Sequence, residues 1–119
     1  MKIESHKSLN VWKESMALVE DTYKIVSSFP REEMYGVTSQ IKRSAVSVPS
    51  NIAEGAGRKG KAEWMRFLYI ALGSLSELET QMEIAVRLRF TSENEAYFKR
   101  IIYIRNMISK LIRSLNNKE

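Results

Sequence analysis

The chain has 119 residues, 44% of them hydrophobic, and a formal charge of +5 from 19 basic and 14 acidic side chains. That length predicts one domain over residues 1–119 with room for a sizeable core. The absence of Cys excludes disulfide scaffolds and thiolate metal sites and makes an intracellular compartment the default.

Residues 1–8 are polar and show no signal-peptide pattern, and His6 is expected in a frayed segment. The first helix, predicted over 9–29, carries Leu9, Trp12, Met16, Val19, Tyr23 and Val26 at steps of three and four. It stops at Phe29-Pro30, because a residue before proline is pushed out of the helical region. Pro30-Arg31-Glu32-Glu33 suits a helix start, and the second helix is predicted over 31–56, with Gly36 weakening its first turns. Its apolar row is Val37, Ile41, Ala45, Val48 and Ile52. Pro49 removes one backbone donor within it, so a kink is expected.

Beside that row runs a second one, Gln40, Ser44, Ser47, Asn51 and Glu54, small and polar. A merely solvated face usually carries long charged side chains. Ser, Asn and Gln suggest instead a close backbone or polar partners. Ser74, Glu77 and Gln81 repeat the pattern on the third helix, and the two rows are expected to meet as a hydrogen-bonded seam, within or between subunits.

Residues 55–60 form the clearest loop, with Gly60 at the cap of a third helix over 61–89. Its row is Trp64, Leu68, Ala71, Leu75, Leu78, Met82 and Ala85. Ser92 and Glu95 have capping-box spacing and open a fourth helix over 92–116 with the row Tyr97, Ile101, Ile104, Ile108, Leu111 and Leu115. Strand alternation is absent. Four helices with short loops favour an all-α, antiparallel up-down-up-down bundle.

This bundle has an apolar excess. Between Trp64 and Leu72 every residue but Arg66 is apolar, and Phe98, Ile102, Met107 and Ile112 lie outside the fourth row. Large exposed apolar surface marks contacts, so self-association is expected. The Trp64–Leu72 run is far too short to span a bilayer, and a soluble cytoplasmic protein is expected.

Several stretches resemble one family in order and spacing: Leu9-Asn10-Val11-Trp12-Lys13, Phe29-Pro30, Glu33-Met34-Tyr35-Gly36, Ser39-Gln40-Ile41-Lys42-Arg43, Val48-Pro49-Ser50-Asn51-Ile52-Ala53-Glu54-Gly55, Gly57-Arg58, Phe67-Leu68, and Ala71-Leu72-Gly73-Ser74-Leu75-Ser76-Glu77-Leu78-Glu79-Thr80-Gln81. They are similar to the four-helix-bundle proteins encoded in 23S rRNA intervening sequences of bacteria. The resemblance implies a ring-like homopentamer. It also implies distant kinship with the accessory variability protein of diversity-generating retroelements, which binds nucleic acid and a reverse transcriptase through a basic surface. No enzymatic role is established for the family. Gly60 departs from the Ser or Thr that often caps the third helix in similar sequences.

Catalysis has little support in the residues. His6 is the single histidine, so neither an ordinary base dyad nor a Glu-x-x-His metal pair can be built. Gly55-Ala56-Gly57 follows a helix and lacks phosphate-loop spacing. Glu77, Glu79 and Glu83 could gather a hard cation, but solvated or interface carboxylates are the better reading. No enzyme activity, metal, cofactor or small-molecule substrate is expected.

Basic residues concentrate in two stretches. Lys42, Arg43, Arg58, Lys59, Lys61 and Arg66 are read as one group around the end of the second helix and the start of the third. Lys99, Lys110 and Arg113 are read as sharing the outer side of the fourth helix. This footprint suits RNA or DNA bound through phosphate, with weak sequence preference and strong salt dependence. The alternative is a protein-interaction scaffold whose patches contact an acidic protein or maintain solubility. Trp12, Trp64, Phe67 and Tyr69 could stack bases, but their helical spacing favours packing.

Overall fold

The structure, a computed structural model, describes residues 5–117; the readings made for residues 1–4 and 118–119 lie outside the described residues. The described chain is all-α. Helix α1 spans Asn10–Val26, α2 Val37–Ala56, α3 Lys61–Arg87 and α4 Glu95–Asn116, and short 3-10 turns occupy His6–Ser8 and Arg31–Glu33. The helices pack side by side into a bundle measuring 50 × 24 × 20 Å, with α1 against α2, α2 against α3, α3 against α4 and α4 back against α1.

The helices start and stop where local chemistry dictates. The segment expected to begin the second helix forms the separate turn Arg31–Glu33 instead, and α2 begins only after Gly36. The capping box expected at Ser92 is also corrected: Asn94 is the N-cap, and its Oδ1 accepts the Tyr97 N–H at 3.0 Å. Gly60 caps α3 at φ 89°, a left-handed backbone that a Ser or Thr would hold only with strain. Arg89 also has a positive φ, 66°, and ends α3. There the Phe90 N–H reaches the Ala85 carbonyl and the Arg89 N–H reaches that of Val86, a Schellman closure that usually employs glycine. Pro49 lies buried within α2, which runs unbroken from Val37 to Ala56.

The core follows the predicted row on α3 completely, with all seven residues from Trp64 to Ala85 buried. On α4 the last turns rotate: Ile112 is buried in place of Leu111, which is only half-buried. The largest correction is α1. Its buried face is Val11, Ser15, Leu18, Thr22 and Val26. Ser15 and Thr22 enter the core because each hydroxyl donates to the carbonyl four residues earlier, at 2.7 Å in both cases, so no orphan donor is buried. The predicted row is thereby turned aside. Trp12 and Val19 are half-buried, and Met16 and Tyr23 are 41% and 42% exposed. With Val46, Pro49 and Ala53 of α2, Trp12, Met16 and Val19 line an open groove of about 360 Å³.

Ion pairs fasten the outer edges. Arg100 on α4 reaches Glu14 at 3.1 Å and Asp21 at 3.5 Å on α1, and Arg105 pairs with Glu79 of α3. Such half-exposed pairs contribute about 0–1 kcal/mol each, so they fix register more than stability.

Candidate nucleic-acid interface

The two small polar rows meet inside the chain. Ser44 donates to Gln81 Oε1 at 2.9 Å, and the hydroxyls of Ser47 and Ser74 lie 2.7 Å apart. Asn51 donates to both the carbonyl and the hydroxyl of Ser47. Gln81 donates to Glu77 at 3.4 Å. Two members of the expected seam stand apart: Gln40 is exposed, and Glu54 turns to Arg58. Small side chains let the backbones close up at the far end of this contact. A Cβ added to Gly55 would sit 2.9 Å from the Phe67 Cβ and 3.1 Å from the Trp64 carbonyl oxygen.

Phe67, pressed against Gly55, organises the basic corner where α2 hands over to α3. The Arg58 guanidinium lies over its ring 5.0 Å from the centroid, and that of Arg66 lies 5.1 Å away. Each has a carboxylate neighbour as well, Glu54 at 2.7 Å from Arg58 and Glu63 at 3.6 Å from Arg66. Lys59 and Lys61 flank them on the turn and are exposed. Four of the predicted cations are thus brought together by one glycine-rich turn.

Lys42 and Arg43 are not part of this cluster, which corrects the first of the two groupings read from the chain. Lys42 lies fourteen residues before the end of α2, roughly 21 Å away along the axis, with its ammonium 5.0 Å from the ring centroid of Tyr23. Arg43, its neighbour, is exposed beside it. On α4, eleven residues separate Lys99 from Lys110, roughly 16 Å of helix. Lys110 lines an open groove with Leu9, Asn10 and Met107, and Arg113 is exposed one turn further on.

The other chemical candidates disperse. Glu77, Glu79 and Glu83 go to Gln81, Arg105 and Arg87 respectively. No cluster of three metal-ligating side chains occurs among the described residues. His6 stands edge-on to Trp12, with 5.2 Å between ring centroids. No described helix is long and apolar enough to cross a membrane. Trp64 is buried in the core, whereas Tyr69 is 60% exposed.

The sequence profile of the 23S rRNA-intervening sequence proteins matches residues 7–114, which take in all but the last two residues of the four helices. The chain belongs to that family. A crystal structure of a protein of unknown function from the S23 ribosomal protein family of Bacteroides thetaiotaomicron is similar in fold, with a TM-score of 0.62 and 22% identity over 88% of this chain and 94% of that one. No curated protein sequence matches the chain. Membership in the family therefore rests on sequence, and the solved relative speaks for the fold alone.

Proposed function

We propose that this protein is a non-enzymatic, cytoplasmic, oligomeric four-helix bundle that binds the phosphate backbone of RNA or DNA at one basic end. The reading takes the helices as antiparallel, up-down-up-down. What supports this is the register of their contacts: Ser44, Ser47 and Gly55 of α2 meet Gln81, Ser74 and Phe67 of α3 in falling order. Likewise Leu9 and Asn10 at the start of α1 share a groove with Lys110 and Ser114 near the end of α4.

That topology gathers Arg58, Lys59, Lys61, Arg66, Lys110 and Arg113 at one end of a 50 Å molecule, where Glu54 and Glu63 are the neighbouring carboxylates. At the other end Arg31, Lys42, Arg43, Arg87, Arg89 and Lys99 are interspersed with Glu20, Asp21, Glu32, Glu33, Glu83, Glu93 and Glu95. This charge polarity along the bundle is the observation that carries the proposal. A cation-rich end attracts a polyanion and releases its counterions, whereas a mixed end does neither.

Self-association completes the reading. The apolar groove between α1 and α2, together with exposed Tyr69, Ile70, Ile102 and Tyr103, is more greasy surface than a solitary bundle of this size usually shows. A ring-like homopentamer, which the family resemblance implies, would present five basic ends together and gain avidity without any new contact. The competing reading is a scaffold for an acidic protein. Filter binding of RNA and duplex DNA at rising salt decides between them. The proposal expects binding that weakens steeply with salt and is nearly indifferent to sequence. No retention of either nucleic acid at low salt removes it.

A further inference from the structure

We propose that Phe67 is the positioning residue of the nucleic-acid site: its ring holds Arg58 and Arg66 as a pre-set pair of phosphate-binding guanidinium groups. The inference rests on the nucleic-acid reading above and names the place where that binding is concentrated. Arginines on an exposed turn ordinarily sample many rotamers, and ordering them on a ligand weakens binding. Here both guanidiniums lie about 5 Å from one ring centroid, at 5.0 and 5.1 Å. The root of the ring is held in place, because its Cβ is seated against Gly55 where α2 and α3 pack tightly.

A guanidinium lying over an aromatic ring uses its π face and leaves its N–H edge available. Arg58 spends one donor on Glu54 and has five in all, and its side chain is 47% exposed; that of Arg66 is 60% exposed. The two guanidiniums therefore lie no more than about 10 Å apart and are open to solvent, within the span of neighbouring phosphodiesters of a nucleic-acid strand. Glu54 and Glu63 approach the arginines at 2.7 and 3.6 Å, from four and three residues earlier in the chain, and restrain them while lowering the net charge of the corner.

The test compares Phe67→Leu, Phe67→Tyr and Arg58→Gln/Arg66→Gln with the unaltered protein, using a short unstructured RNA and a duplex DNA across a salt series. Circular dichroism and melting verify that each variant is folded. The ring-deleted Phe67→Leu should raise Kd by about three- to tenfold with the salt slope unchanged, because no charge is lost. Phe67→Tyr, which keeps the ring face, should bind like the unaltered protein. The double arginine variant should lose affinity and flatten the salt slope by about two units. If Phe67→Leu binds normally while the unaltered protein binds well, the clamp is wrong and the nucleic-acid function stands. If Phe67→Tyr is as impaired as Phe67→Leu, the ring face is not the cause and the clamp is again wrong. If the unaltered protein binds neither nucleic acid, the functional reading itself fails and the clamp falls with it.

Discussion

Tyr97 shows how one side chain couples the core to pH. It is buried at 3% exposure between α1 and α4, and its hydroxyl lies 2.7 Å from that of Thr22. The Thr22 proton is already given to the Leu18 carbonyl, so Tyr97 is the donor. Burial pushes the phenol up from its ordinary 10.0 to about 12, and the nearby Asp21 charge acts in the same direction. A folded pKa above the unfolded one means that the contribution to stability is complete below pH 10 and is lost as pH rises toward 12. Urea unfolding across this range should show the loss. Tyr97→Phe should cost about 1 kcal/mol near neutral pH and make the decline between pH 10 and 12 shallower. An unchanged alkaline limb would assign the decline to other groups.

At the scale of elements, the α2–α3 contact depends on smallness. The serines at 44, 47 and 74 supply hydrogen bonds that larger polar side chains could not make at this spacing, and Gly55 permits contact where any Cβ would collide. Two of the three atoms near that added Cβ are a Cβ and a backbone carbonyl oxygen, which no rotamer change can move. Gly55→Ala should therefore destabilise the protein by about 1–3 kcal/mol despite the better helix propensity of alanine, as an overpacked contact does. Gly73, with open space around its Cβ position on α3, is the matched control: Gly73→Ala should be neutral or stabilising by up to about 1 kcal/mol. Chemical denaturation of the pair isolates crowding from propensity.

For the whole molecule the question is what becomes of its exposed apolar side chains. Met16, Tyr23, Val46, Tyr69, Ile70, Ile102 and Tyr103 are all more than one-third exposed on a chain of 119 residues. Surface of that kind is normally sequestered by another chain. Light scattering on the purified protein should report a multiple of the chain mass. Met16→Glu with Val46→Glu, placed in the α1–α2 groove away from the core, should shift it toward the single chain while helicity is retained. A single chain at high concentration without these changes would remove the oligomeric half of the proposal, together with the avidity built upon it.

The residues alone determined a great deal. Apolar spacing on α3 names its buried face without error, because long aliphatic side chains at steps of three and four have no other way to leave water. Gly36, Gly60 and Pro30 mark the helix boundaries to within a few positions, since backbone sterics act locally. The face of α1 was not legible in the same way. Ser15 and Thr22 look like surface residues until their hydroxyls are seen bonded to carbonyls of their own helix, and only packing against three other helices decides that they, and not Trp12 and Met16, turn inward. The same holds for the candidate site. Proximity along the chain groups Lys42 and Arg43 with Arg58, yet Lys42 lies roughly 21 Å of helix before the end of α2, whereas Arg58 and Arg66 both lie over Phe67. Charge is written in the sequence, but its concentration in space is a product of how the helices are laid side by side.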